Sequence, residues 1–378
     1  MNLDKKIGVL GGGQLGKMLC EAALPWHLKI AVLDKNKDFP SGPYAPEFVS
    51  GDFTDYDDVL NFGKDRDVIT IEIEKVNTDA LRVLESEGVE IYPQPRVTEL
   101  IQDKGLQKQF YSDHHLPTAE YQLLSSQEIE QKLGKGVIEF PIVQKLRKGG
   151  YDGRGVQVVK EAEDMIIGHD SVLEELVDIE KEISVIVARS ITGQIVHYEA
   201  VEMVFDPKGN LVDHLICPAD ISSDKEKEAV ELAKSVITKL EMTGLLAVEM
   251  FLTTSGQILI NEVAPRPHNS GHHTIKNCAC SQYEQLLRCL IDAPLIPGKS
   301  LMPAMMINIL GSSEGNGKPV YNGLDEVLSE PGIHMFLYGK KESRPFRKMG
   351  HFTITASDRQ SLLKKADIVR NKFSISCE

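Results

Sequence analysis

Two acids, Glu249 and Glu262, are placed by their spacing to meet. Residues 245–253 (LLAVEMFLT) and 257–264 (QILINEVA) read as β-strands by their apolar and β-branched content, with Ser255-Gly256 as a two-residue turn between them. In that register the two glutamates face each other, because both lie equally far from the centre of the turn. Like charges opposed across a hairpin destabilise it unless a cation sits between them. Carboxylate oxygens beside phosphate and water are the ligands Mg²⁺ prefers, so the pair is a candidate metal site. The plainer alternative is an exposed strand face with incidental acids.

The hairpin runs straight into Pro265-Arg266-Pro267-His268-Asn269-Ser270-Gly271-His272-His273-Thr274. Its prolines forbid regular structure, and its density of donors suits a binding surface. Arg266 can offer a bidentate fork to phosphate or carboxylate, while Asn269 and Ser270 can orient a polar ligand. A zinc site on His268, His272 and His273 is the weaker reading, since zinc prefers a defined set completed by cysteine or carboxylate.

Other elements must bring a ligand to these residues. A strand Lys6–Leu10, the turn Gly11–Gly16 and a helix through Ala23 precede a second strand, Lys29–Leu33, that ends at Asp34. This matches the G-x-G-x-x-G dinucleotide fingerprint, although any backbone approach to a polar ligand needs small residues in the same places. A strand Val68–Glu74 puts Glu72 and Glu74 on one face at its carboxyl end, where open α/β sheets bind ligands. Pro93-Gln94-Pro95 reads as a linker. A helix from Val97 to His114 carries Lys104 and Lys108 on one face, a spacing that solvated lysines also show.

Strand Phe140–Lys145, the basic glycine-rich segment Lys148–Gly155 and strand Val156–Val159 make a flap able to fold over a triphosphate. Residues Ser171–Val177 then lead into a strand from Glu180 to Ala188. An exposed Glu174-Glu175-Leu176-Val177 stretch can present backbone groups to an adenine edge, and Glu182 can take ribose hydroxyls; out of context both are surface acids.

The 378-residue chain has room for two or three domains. A formal charge of −14 argues against nucleic acid or anionic membranes as partners, so an anionic ligand must meet local basic clusters. No apolar run is long enough to span a bilayer, and Met1–Lys6 leads into a strand without a signal-peptide core, which points to the cytoplasm. The six cysteines follow no zinc or disulfide spacing and read as free thiols. From about Pro297 the strands Ala304–Leu310, His334–Leu337 and His351–Ala356 and a helix Arg359–Asn371 form a small β-rich cap. It carries a basic island, Lys340, Lys341, Arg344, Arg347 and Lys348.

The order of lysine helix, strand lysine, glycine flap, Glu-Glu-Leu-Val segment, downstream glutamate and paired acids resembles the ATP-grasp superfamily. Gly11–Gly16, Glu72-Ile-Glu74, Gly150–Gly155, Asn261–His272 and Arg347–His351 together are similar to the 5-(carboxyamino)imidazole ribonucleotide synthase family, over essentially the whole chain. The resemblance implies an α/β and α+β fold: a Rossmann-like domain at 1–95, an ATP-grasp domain at 96–296 and a β-rich cap at 297–378. It implies that ATP is held by Lys104, Lys145, Gly150, Tyr151, Asp152, Gly153, Arg154, Gly155, Val156, Glu174, Glu175, Leu176, Val177, Glu182, Asn261 and Glu262. Mg²⁺, for which Mn²⁺ can substitute, would lie on Glu249 and Glu262. The ribonucleotide would be contacted by Gly12, Gly13, Gln14, Leu15, Glu72, Tyr151, Asp152, Arg154, Arg266, Asn269 and Ser270, with Lys340, Arg347 and Lys348 on its 5′-phosphate. Catalysis would fall to Arg266, Asn269, Lys145 and Arg154. The implied reaction is ATP-driven carboxylation of aminoimidazole ribonucleotide by bicarbonate through carboxyphosphate.

Two positions depart from the family's pattern. Glu202-Met203-Val204-Phe205 stands where Glu-Asn-x-His is common, and Lys75 follows Glu74 where asparagine is common. The first removes a polar contact near the nucleotide. A homodimer is expected from the general prevalence of two-fold assemblies. The rival readings are an NAD-dependent oxidoreductase using Gly11–Gly16 and Asp34, another carboxylate–amine ligase, and a noncatalytic ATP-binding protein.

Overall fold

A computed structural model describes residues 1–150, 155–206, 211–312 and 315–378. The chain begins with a five-stranded parallel sheet in the order β3-β2-β1-β4-β5, from β1 (Ile7–Leu10), β2 (Ile30–Asp34), β3 (Glu47–Ser50), β4 (Val68–Ile71) and β5 (Glu90–Ile91). Strands β1, β2 and β4 are buried throughout, as a sheet covered by helices on both faces requires. The order in which strands are added reverses between β1 and β4, which makes the carboxyl ends of these two parallel strands the switch point where ligands bind in such sheets.

Strand β4 ends at Ile71, before the expected Glu74, because Glu72 leaves the ladder. Its carboxylate accepts the Gly13 amide at 2.7 Å and the Leu15 amide at 3.1 Å, at the start of the Gln14–Ala23 helix. A Cβ on Gly13 would sit 2.3 Å from a Glu72 oxygen, so this closure needs glycine there.

The expected single helix from Val97 to His114 is two, Pro95–Gln102 and Lys104–Asp113. The break lies at Asp103, which is extended (φ −122°) and caps the Gly105 and Leu106 amides with its carboxylate. The same carboxylate takes two hydrogen bonds from Arg147, at 2.9 and 2.8 Å. This tie fixes the start of the second helix, and therefore Lys104, against the opposite sheet.

That sheet has four strands, β6 (Tyr121–Leu124), β7 (Ile142–Leu146), β8 (Val156–Val159) and β9 (Ser171–Glu175), in the order β6-β9-β7-β8. A larger sheet comprises β10 (Ile179–Arg189), β11 (Ile195–His197), β12 (Val201–Asp206), β13 (Leu211–Cys217), β14 (Gly244–Thr253) and β15 (Ile258–Ala264). It runs on without interruption into β16 (Ala304–Leu310), β19 (Lys348–Thr355) and β18 (Ile333–Leu337) of the C-terminal region. A separate ribbon pairs β17 (Pro319–Asn322) with β20 (Ser374–Cys377), a closing strand absent from the sequence-based expectation. The alternation of Phe373, Ile375 and Cys377 with Ser374 and Ser376 was the available signal for it.

The C-terminal sheet meets the histidine-rich loop through buried aromatic rings. His272 stacks on His351 at 4.6 Å, and His351 stacks on Phe336 at 4.7 Å. Tyr283 Oη lies 3.1 Å from His272 Nδ1, and Tyr338 Oη lies 2.9 Å from His351 Nδ1. Burial pushes His272 well below the ordinary imidazole range, His273 down to about 4 and His351 down to about 3. A folded-state value below the unfolded one makes a contribution that is present above the unfolded pKa of about 6.5 and is lost as pH falls. Each proton taken up only on unfolding gives a slope of about 1.4 kcal/mol per pH unit. Urea midpoints should therefore drop steeply between about pH 6.5 and about pH 4, and less steeply in His351→Gln. A wild-type midpoint that stays constant across that window would contradict neutral buried imidazoles.

Candidate active site

Glu249 and Glu262 do face each other across β14 and β15, but by a different route from the expected one. The turn is longer than two residues, with Thr253 donating to Gln257 and Gly256 in the left-handed region, so Leu252 pairs with Ile258 and Met250 with Ile260. A bulge at Asn261 then shifts the register by one and restores the Glu249–Glu262 pairing. The bulge has a chemical consequence, because strict alternation would send Asn261 and Glu262 to opposite faces. Here both reach the same cluster: Asn261 Oδ1 accepts from Lys145 Nζ at 2.7 Å, and Glu262 pairs with Lys104.

Below them lies Glu174, only 3% exposed, with Lys108 Nζ at 3.1 Å and Lys145 Nζ at 3.0 Å. This corrects the expectation that Glu174 lies on an exposed stretch. It sits in the middle of β9 facing inward, and its neighbour Glu175 is the first exposed residue of the segment. Leu176 is exposed, and residues 176–178 connect β9 to β10. Lys108, which spacing alone left among solvated lysines, joins this buried cluster. Burial pulls its ammonium down to about 8 against the pull of Glu174. Its position four residues after Lys104 was the available signal.

The carboxylates divide their roles. Attraction from Lys104 holds Glu262 well below the usual carboxylate range, even though burial opposes it. Burial and then the charge of Glu262 push Glu249 above the usual carboxylate range. Burial also lifts Glu182, on β10, to about 7. Lys104 is held charged, its burial outweighed by Glu262, Glu249 and Glu174. A pair of opposed acids, one lifted by burial and the other held ionised by Lys104, fits the donor set of a hard divalent ion.

The loop after β15 carries Arg266 to Glu74, with Nη2 and Oε1 2.9 Å apart. Asn269 is buried, and among the described residues neither its Oδ1 nor its Nδ2 has a hydrogen-bond partner. Ser270 lies against His268 and Ser184. The three histidines expected as a zinc alternative occupy different settings: His268 reaches Glu249, His272 joins the aromatic stack, and His273 hydrogen-bonds to the Ser270 carbonyl.

At the switch point the amides of Gly12, Gly13 and Leu15 are already taken, the first by Asp34 at 2.6 Å and the others by Glu72. A dinucleotide pyrophosphate would have to displace two carboxylates there, so the oxidoreductase reading does not fit. Gln14 and Leu15 open the following helix. Of the flap, Gly150, Gly155 and Val156 are described; Tyr151, Asp152, Gly153 and Arg154 lie outside the described residues. Val156 pairs with Lys145 across the β7–β8 hairpin, which ties the flap's base to the lysine.

The basic island divides. Lys341 pairs with Asp38 of the first domain and Arg344 with Glu342, both at the surface. Lys348 opens β19 close enough to Glu249 to weigh on its charge, Lys340 donates to the Lys348 carbonyl at 2.7 Å, and Arg347 donates to the Glu342 carbonyl at 2.7 Å. Phe205, the departure from the histidine pattern, packs against an apolar cluster of Val201, Met203, Leu215, Cys217 and Met306.

Two sheets that close on a lysine-lined cleft, one ending in paired acids, are the ATP-grasp architecture. A model of the ATP-grasp domain matches residues 109–283, flanked by matches to the ribonucleotide synthetase preATP-grasp domain at 4–102 and the phosphoribosylaminoimidazole carboxylase C-terminal domain at 304–365. The N5-carboxyaminoimidazole ribonucleotide synthetase structure from Thermotoga maritima is 41% identical and superposes with a TM-score of 0.91 over 99% of this chain and 100% of that one. An Aspergillus clavatus N5-carboxyaminoimidazole synthase in complex with ADP and 5-aminoimidazole ribonucleotide is 30% identical, with a TM-score of 0.88 over 98% of this chain and 100% of that one. The chloroplastic phosphoribosylaminoimidazole carboxylase of Vigna aconitifolia is 37% identical over 94% of this chain, which spans 65% of that longer protein. The chain belongs to the N5-carboxyaminoimidazole ribonucleotide synthase family.

Glu174→Ala leaves two lysines buried without their shared carboxylate, and should cost about 3–5 kcal/mol of unfolding free energy in urea titrations. A loss below about 1 kcal/mol would mean that the cluster behaves as a solvated surface pair.

Proposed function

We propose that the chain is an ATP- and bicarbonate-dependent ligase that carboxylates the exocyclic amine of 5-aminoimidazole ribonucleotide to 5-(carboxyamino)imidazole ribonucleotide, a step of purine biosynthesis. The observation that carries this is the convergence of Lys104, Lys145, Asn261 and Glu262 on one cleft beside Glu249. The likeness to the Thermotoga synthetase and to the Aspergillus synthase in complex with ADP and 5-aminoimidazole ribonucleotide supports the substrate class.

In this reading ATP lies between the two sheets. Its phosphates meet Lys104, Lys145 and the flap, its adenine lies along the backbone of 175–177, and Glu182 takes the ribose hydroxyls. Glu249 and Glu262 would hold Mg²⁺ or Mn²⁺, which offsets charge on the transferring phosphoryl group. A bicarbonate oxygen attacks the γ-phosphorus, the bond to ADP breaks, and carboxyphosphate forms. The amine then attacks the carboxyl carbon, directly or after release of CO₂, and inorganic phosphate leaves. Lys104 and Lys145 stabilise the charge that develops. Arg266, Asn269, Ser270, the Gly12–Leu15 turn and Glu72 position the ribonucleotide, and Lys340, Arg347 and Lys348 take its phosphate. Arg266 and Asn269 are suited to this work, the first with a guanidinium held against Glu74, the second with a buried amide in need of partners. Tyr151, Asp152, Gly153 and Arg154 would close over the carboxyphosphate and keep water away.

Among the described residues no helix is long and apolar enough to cross a membrane. A cytoplasmic homodimer is part of the proposal.

ADP release from Mg·ATP and bicarbonate should rise at least about tenfold when aminoimidazole ribonucleotide is added, and Glu262→Ala should lose about two or more orders of magnitude of that rate. With ¹⁸O-bicarbonate, the phosphate released should carry one labelled oxygen. Unlabelled phosphate, or turnover indifferent to the ribonucleotide, would contradict the reaction.

A further inference from the structure

His268 is held in place from several sides. Its own amide donates to Gln282 Oε1 at 2.9 Å, and Gln282 Nε2 returns a hydrogen bond to its carbonyl at 2.8 Å. Gln282 is fully buried. The ring nitrogen Nδ1 accepts from the Ser270 amide at 3.3 Å and lies 2.9 Å from Ser270 Oγ. Because Nδ1 is an acceptor, the neutral ring carries its proton on Nε2, which lies 3.1 Å from Glu249 Oε1. Ser270 Oγ is in turn 2.9 Å from Ser184 Oγ, and both serines are 1% exposed.

Donor directions follow from that tautomer. Ser184 donates to Ser270, Ser270 to His268, and His268 to Glu249, so three hydrogen bonds point the same way and reinforce one another. Ser184 is also the cross-strand partner of Glu249 on β10, so the chain starts and ends on neighbouring strands of one rigid sheet.

We propose that His268, backed by Ser270 and Ser184, is a positioning residue that fixes the Glu249 carboxylate by one oxygen and presents the other to the divalent cation shared with Glu262. The inference rests on the nucleotide-binding reading above and adds to it a role for a loop histidine and a buried serine. Partners that orient a metal-binding side chain typically change metal affinity 10- to 100-fold when removed.

The test is calorimetric titration of ADP with Mg²⁺ and with chelator, in wild type, Ser184→Ala, His268→Ala, His268→Gln and the Ser184→Ala/His268→Ala double variant. The ratio of the two affinities isolates the metal-dependent part of binding. In His268→Ala that ratio should fall about 10-fold or more while metal-free ADP binding stays constant. Ser184→Ala should lower it by a smaller factor, and the double variant should match His268→Ala alone, because one chain has been broken twice. His268→Gln, whose amide can donate from a similar position, should recover most of the ratio. Additive effects of the serine and histidine changes, or equal weakening with and without metal, would overturn the positioning role. A wild-type ratio of one would instead overturn the nucleotide reading, and this inference with it; that outcome is read before any variant is made.

Discussion

Two carboxylates forced together are the constraint around which the cleft is built. Glu249 and Glu262 occupy paired positions on adjacent strands, where the backbone ladder holds the two residues side by side. Coulomb repulsion at that separation must be met. Lys104 meets it for Glu262, and burial keeps a proton on Glu249. The surrounding architecture serves this arrangement. Asp103 breaks a helix to start a new one at Lys104, Arg147 anchors that break to the second sheet, and Glu174 gathers Lys108 and Lys145 behind the acids. Such a cleft can exchange a proton and a lysine contact for a metal–phosphate assembly.

Much of this was legible in the sequence where chemistry and periodicity coincide. The opposed glutamates followed from strand spacing, and the helix of Lys104 and the strand of Lys145 lay in the expected order. The agreement at Glu249 and Glu262 nevertheless arose through two compensating departures, a longer turn and a bulge at Asn261. A bulge adds one residue to one strand and leaves no compositional trace. It explains why Asn261 and Glu262, adjacent in sequence, serve the same cluster.

What was not legible depended on contacts between distant segments. The continuity of Val97–His114 as a helix was reasonable from composition, yet the carboxylate of Asp103 prefers the amides of the following turn and the guanidinium of Arg147, 44 residues away. Glu174 looked like a surface acid, and only the convergence of two lysines makes its burial tolerable. The Gly11–Gly16 turn carried a dinucleotide pattern, but Glu72 and Asp34 arrive from neighbouring strands and occupy its amides. The dense histidines left zinc open as the weaker reading, whereas the fold sends them to three tasks, of which the stack on His351 packs the loop against the C-terminal strands.

The claim at the centre of this account is that the acid pair stores one proton when empty and gives it up to a divalent cation. Calorimetry of Mg·ADP binding near neutral pH in buffers of different ionisation enthalpy measures that proton directly. Because burial and the charge of Glu262 push Glu249 above the usual carboxylate range, protons should be released as the nucleotide binds, with release fading as pH rises. Release should vanish in Glu249→Gln and in ADP binding without metal. A wild-type count of zero, or an unchanged count in Glu249→Gln, would show that the pair is not the group that the metal–nucleotide complex discharges.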